Sequence, residues 1–196
     1  MPKTDAQHRR GLKRATAAHL ENAALHYLER FATSSGNLRR VLMRKVARSA
    51  EAHGTDPAEG QQLVDDIVAR FLRAGLLDDR AYAAQQAASL RRRGASRFGI
   101  RGKLALKGVT GELIDAAVGA LDAEPGESEI AAACALVRRR RLGPCRTPEQ
   151  RNAFRQKDLA ALARAGFGLG LARRVLALPD VDALAALERG EPEDLC

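Results

Sequence analysis

The chain has 196 residues, with 33 basic against 24 acidic side chains and a net charge of +9. Apolar residues at 45% suffice for a buried core and exclude a disordered polyelectrolyte, while 4% aromatics and no tryptophan argue against base readers built on rows of aromatic platforms. A chain this basic is drawn to nucleic acid or to an acidic protein surface.

Residues 1 to about 18 lack apolar periodicity and read as a flexible basic tail. No apolar stretch of signal-peptide type follows, and no apolar run approaches the ~20 residues needed to cross a bilayer, so a cytoplasmic protein is expected. Leu20, Ala24, Tyr27, Leu28 and Phe31 recur at three- and four-residue steps, the pattern of one helix face. After Ser34-Ser35-Gly36 the pattern resumes at Leu38, Val41 and Leu42, and His53 to Pro57 carries loop signals. Leu63, Val64, Ile67, Val68, Phe71 and Leu72 form the next helix face, closed by Gly75 as a left-handed cap. Asp78 and Asp79 precede a helix over 81–93, where one caps the helix and the other favours its dipole. Short helices are expected over 96–107, ended by Gly108, and over 111–121. Three more are expected over 127–141, 148–164 and 169–178, with Gly166 in the last turn between helices.

Helices this short cannot bury a core alone, and the chain repeats itself. Aligned without gaps, 100–121 places Leu104, Gly108, Val109, Leu113 and Val118 on Leu162, Gly166, Phe167, Leu171 and Leu176 of 158–178. An earlier copy fits in two pieces, Leu38 to Lys45 and then from Leu63, with about a dozen extra residues between them. We therefore expect an all-α fold of three tandem three-helix modules in an elongated, curved array. The modules span 19–77 (with an insert near 46–60), 78–124 and 125–178, and an acidic tail covers 179–196. Residues 179–196 hold six acidic side chains against one basic, a net −5, so the rest of the chain carries +14.

Three basic clusters stand out as candidate binding residues. Arg91, Arg92 and Arg93 are followed by Arg97, Arg101, Lys103 and Lys107. Arg138, Arg139, Arg140 and Arg141 form the second cluster. Arg39 and Arg40 lead the third, with Arg44, Lys45 and Arg48 after them. Arginine forks suit a DNA backbone or acidic patches on a protein equally well. The competing reading is dipole compensation, because both arginine runs end a helix before Gly94 or Gly143. One cation per end would suffice for that. At ~100° per residue, Arg97 and Arg101 flank one side of the Ile100–Leu104 stripe and Lys103 and Lys107 the other, so a basic groove needs residues from neighbouring helices.

Cys134, Cys145 and Cys196 make an odd set without a C-x-x-C pair, and the four histidines have no metal-ligand spacing with them, so neither a disulfide framework nor a metal is expected. Gly166-Phe167-Gly168-Leu169-Gly170 lacks the lysine and hydroxyl residue of a phosphate loop. No catalytic constellation and no cofactor site is legible.

The stretch FLRAGLLDDRAYAAQQAASLRRRG, followed by IRGKLALKGV, resembles the RecX family. Its matching features are Gly75-Leu76-Leu77-Asp78-Asp79, Tyr82, Arg91 to Arg93 and Lys107-Gly108-Val109, with Arg164, Gly166 and Phe167 similar to the Arg-Gly-Phe of the last module. The resemblance covers about residues 20–178. It implies a non-enzymatic regulator that binds RecA and the RecA–DNA filament and limits its ATPase, strand-exchange and co-protease activities, in DNA repair and recombination. It implies no membrane or metal, and the protein is taken as a monomer. A single- or double-stranded DNA backbone is a further candidate partner. The alternatives are a helical DNA-binding protein independent of RecA, or a scaffold for another acidic protein.

Overall fold

The computed structural model describes residues 13–123 and 128–191, and all regular structure among them is helical. The helices are α1 (Ala17–Leu28), α2 (Ser35–His53), α3 (Pro57–Arg73), α4 (Asp79–Arg92), α5 (Arg97–Leu106) and α6 (Gly111–Ala123). They continue with α7 (Glu129–Arg140), a 3-10 turn at Gly143–Cys145, α8 (Pro148–Arg164), α9 (Leu169–Ala177) and α10 (Val181–Arg189). Most of the expected basic tail, residues 1–12, lies outside the described residues, as do the acidic residues after Glu191.

The chain divides into two compact units. One holds the described residues up to Tyr82 with Lys107–Val109. The other holds Ala83–Leu106 and the described residues from Thr110 on. In the first unit the helix starts follow from side chains that satisfy the orphan N–H groups of a first turn. The Thr16 hydroxyl accepts from the His19 amide, the Ser34 hydroxyl from Asn37, and the Asp56 carboxylate from Ala58 with Pro57 at the first helical position. Leu20 and Ala24 of α1, Leu38, Leu42 and Val46 of α2, and Val64, Ile67, Val68 and Phe71 of α3 share one buried cluster. Each of the larger side chains contributes roughly 1.5–3 kcal/mol by leaving water.

The extra residues of the first unit do not form a long loop. They lengthen α2 to 19 residues and α3 to 17, leaving only Gly54 to Asp56 between them. A Cβ at Gly60 would run into the Val46 side chain, so the glycine lets the two helices close. Phe31 departs from the expected apolar face: α1 ends at Leu28, and Phe31 is half exposed, tilted against the Tyr27 ring with centroids 5.1 Å apart.

In the second unit α5 and α6 pack together, burying Ile100, Leu104, Ile114 and Val118. A larger core gathers Ala132, Cys134, Leu136 and Val137 of α7, Leu162 of α8, Phe167, Val175 of α9, and Leu184 and Leu187 of α10. The last pair corrects the reading of 179–196 as an acidic tail. Asp180 caps α10 through the Ala183 amide at 2.8 Å, Gly190 closes it with φ +73°, and Glu188 pairs with Arg138 of α7. Three acidic side chains of the supposed tail, Asp180, Asp182 and Glu188, therefore belong to a docked helix or its cap.

Asp158 is the buried carboxylate of this core. It accepts from the Gly143 amide at 2.9 Å and from Arg146 Nε and Nη2 at 2.7 and 2.9 Å. That bidentate bond raises the Arg146 guanidinium further above its ordinary value and fixes the turn between α7 and α8. Asp158→Ala is expected to cost about 3 kcal/mol in urea unfolding, because it strips three donors of a common acceptor. Asp158→Asn should fall between it and the parent. A loss below about 1 kcal/mol for the alanine variant would show the carboxylate to be solvated rather than structural.

Candidate functional site

The arginine run at the end of α4 splits by direction. Arg91, a sequence candidate for binding, points inward and is only 2% exposed. Its Nη1 pairs with Glu129 at the start of α7, and the same carboxylate accepts the Arg97 amide at 3.0 Å. Arg91 is thereby removed from the binding surface: one guanidinium fastens the α4–α5 junction to α7. Arg92 and Arg93 are exposed.

The run on α7 splits likewise. Arg138 pairs with Glu188, and Arg141, with φ +52°, takes the left-handed position after the helix. The Arg139 guanidinium donates to the backbone carbonyl of Arg93. On α5, Arg101 pairs with Asp115 of α6, while the Lys107 carbonyl accepts from the Ser34 hydroxyl within the first unit. Arg39 pairs with Asp65 at 2.6 Å, and both Arg39 and Arg40 stand exposed on α2.

The expected structural residues occupy turns. Gly75, Gly108 and Gly166 have φ of +71°, +74° and +87°. Asp78 accepts from the Ala81 amide at 2.9 Å. Asp79 stands in the first turn of α4 and takes on a tertiary role as well, accepting the Ser35 amide at 2.7 Å and the Ser35 hydroxyl at 2.5 Å.

What remains converges. Arg93, Lys103, Arg139, Arg140 and Arg164 line one groove of about 280 Å³ in the second unit, with Leu90, Gly94, Ala95, Gly99, Leu136 and Ala165. The groove lies where α4, α7 and α8 end and α5 begins. Ser96 ties it together: its hydroxyl donates to the Ala165 carbonyl at 2.5 Å and accepts the Gly99 amide at 3.0 Å. Arg164 is not among the binding candidates read from the sequence, although it ends a helix before a glycine turn just as the Arg91–Arg93 run does.

Charge arithmetic shows how far the cations exceed dipole compensation. Three helix C-termini contribute about −0.5 each. Five cations line the groove, the start of α5 adds about +0.5, and none of the lining residues is acidic, so an excess of about four positive charges faces solvent there. This arrangement attracts polyanions. Away from the groove, burial raises the thiols of Cys134 and Cys145 above their ordinary value. Among the described residues no cluster of three or more His, Cys, Asp or Glu side chains could hold a metal, and no helix is long and apolar enough to cross a membrane.

The described residues form an all-α chain of short capped helices with a cationic groove in its second unit. Residues 78–118, spanning α4, α5 and the first part of α6, match the family model for RecX, second three-helix domain. The chain is 47% identical over 176 residues to the regulatory protein RecX of Myxococcus xanthus (strain DK1622), covering 88% of this chain and 93% of that one. It is 32% identical over 162 residues to the regulatory protein RecX of Agrobacterium fabrum (strain C58), covering 83% and 84% respectively. The chain belongs to the RecX family. No solved structure matches it.

Proposed function

We propose that this chain is a non-enzymatic regulator that binds RecA and its nucleoprotein filament and chiefly inhibits its ATPase, strand-exchange and co-protease activities. The observation that carries the reading is the 47% identity, over nearly the whole of both chains, to a relative named a regulatory protein. The excess of positive charge supports it, since a filament of protein on DNA presents phosphates and carboxylates together. Three modules, at 19–77, 78–124 and 125–178, are the units with which it would engage the filament. The Arg93–Arg164 groove is the first surface to test.

The test is RecA ATPase and strand exchange on single-stranded DNA, with and without the full chain. Inhibition of strand exchange at a sub-stoichiometric ratio to RecA is the expected result. Stoichiometric addition without change in either activity would overturn the proposal.

A further inference from the structure

The solvent face of α5 carries an inference that does not depend on RecA. We propose that Phe98, Gly102, Ala105 and Leu106 form a saddle that receives an amphipathic helix of a partner protein, one whose apolar stripe is edged by carboxylates.

Three observations carry it. First, Phe98 and Leu106 are 73% and 72% exposed, the two most exposed large apolar side chains of the described residues. They share one face of α5 with Gly102 and Ala105, a stripe about 100° wide that lies opposite the buried Ile100–Leu104 stripe. The helix is therefore apolar on two sides, and the core covers one. Single exposed apolar side chains are ordinary, but two on one face with only small residues between them make a contiguous patch. Second, the patch is concave. Phe98 and Leu106 stand roughly 12 Å apart along the axis at about 1.5 Å per residue. A Cβ at Gly102 would meet nothing within 4 Å, so the floor between them is open. A helix about 10 Å across fits that gap and can approach the α5 backbone closely. The Phe98 side of the saddle is braced: a Cβ at Gly166 would lie 2.9 Å from Phe98 Cβ and Cδ1, so the ring is seated against the turn between α8 and α9.

Third, charge chooses the helix. Arg97 and Arg101 border the stripe on one side and Lys103 on the other, Arg101 pairs with Asp115 of α6, and α5 itself holds no acidic residue. Carboxylates beside the partner's apolar stripe meet these cations, whereas the α5 face of a second copy would set like charges together. A lipid surface fits less well, because a flat interface leaves the floor between the two large side chains unfilled.

The experiment uses the full chain without RecA, read by fluorescence anisotropy. The probe is a fluorescein-labelled synthetic helix of about 16 residues, with leucines at three- and four-residue steps and glutamates beside them. Saturable binding with a midpoint below about 100 μM is expected. Gly102→Trp fills the saddle without displacing any atom and should weaken binding about tenfold, as should Phe98→Ala with Leu106→Ala. Phe31→Ala with Leu76→Ala removes like side chains, 50% and 53% exposed in the first unit, and should change affinity less than about threefold. A probe with lysines in place of the glutamates should bind about tenfold more weakly at low salt. Circular dichroism confirms that the variants fold. No saturation by about 1 mM would overturn the site, and so would parent affinity in Gly102→Trp or an equal loss in the Phe31/Leu76 control. Equal binding of the lysine probe would overturn the acidic partner, and displacement of the probe by phosphatidylserine vesicles would give the face to a lipid surface instead. Because RecA is absent, failure here leaves the RecA proposal standing, and an inert result in the RecA assays leaves this one standing.

Discussion

Glu129→Ala is expected to lower the unfolding free energy by about 3–4 kcal/mol. The Arg91 side chain it faces is 1% exposed, and the carboxylate also receives the Arg97 amide at the start of α5. Truncation therefore takes a carboxylate from a buried guanidinium and an acceptor from an amide in one step. Removing one member of a buried pair costs more than the pair is worth, because the other charge stays out of water. Two comparisons isolate the effect. Asp115→Ala removes the partner of Arg101, where the side chains are 48% and 63% exposed, and should cost only about 0.5 kcal/mol. The double replacement Arg91→Met with Glu129→Leu removes both charges and should recover most of the loss, as apolar substitution of whole buried pairs does. Urea midpoints at constant m-value measure all three. A Glu129→Ala loss no greater than that of Asp115→Ala would show that Arg91 is solvated in the folded protein.

This pair also shows where sequence reading stops. Arg91, Arg92 and Arg93 are chemically identical and adjacent, so composition treats them as one patch. A helix turns them about 100° apart, and only the fold reveals that the first direction meets a carboxylate 38 positions away. Wheel arithmetic on α5 separates Lys103 from Arg101, and the structure uses that separation: Lys103 lines the groove while Arg101 pairs with Asp115. What the wheel could not supply were the other walls, from the ends of α4, α7 and α8.

The helices themselves were legible because local rules agreed with the global fold. Leu38–Leu42, Ile100–Leu104 and Leu162 fall on buried stripes, and Gly54, Gly75, Gly108 and Gly166 carry the positive φ that a stop signal implies. The acidic end misled because its charge outweighed its pattern. Asp180, Leu184, Leu187 and Gly190 spell cap, stripe and stop over nine helical residues, a signal shorter than the net −5 that surrounds it. The loop signal from His53 to Pro57 falls on the three residues that separate the two helices, and the extra residues on either side extend those helices.

Gly94→Ala is the second substitution with a large expected effect, about 3–4 kcal/mol, and it reaches the groove directly. Gly94 has φ +77°, which costs an alanine roughly 1–2 kcal/mol. A Cβ there would also sit 2.7 Å from the Leu136 amide nitrogen, 2.9 Å from the Ala132 carbonyl oxygen and 3.0 Å from Leu136 Cα. These are backbone atoms of α7, so no side chain can rotate aside. The end of α4 must move from α7, at an overpacking cost of about 1–3 kcal/mol. Gly54→Ala separates the two contributions, since Gly54 has φ +63° but nothing within 4 Å of where the alanine methyl would stand, and should cost only about 1 kcal/mol. The displacement would carry Arg93 away from Arg139, which bonds the Arg93 carbonyl, and widen the spacing of the cations. If the groove serves the proposed function, Gly94→Ala should therefore weaken inhibition of RecA strand exchange even where the protein is still fully folded, whereas Gly54→Ala should leave it unchanged. Equal unfolding costs for the two glycines would mean that α4 does not press on α7 at this point, and the groove would lose its wall.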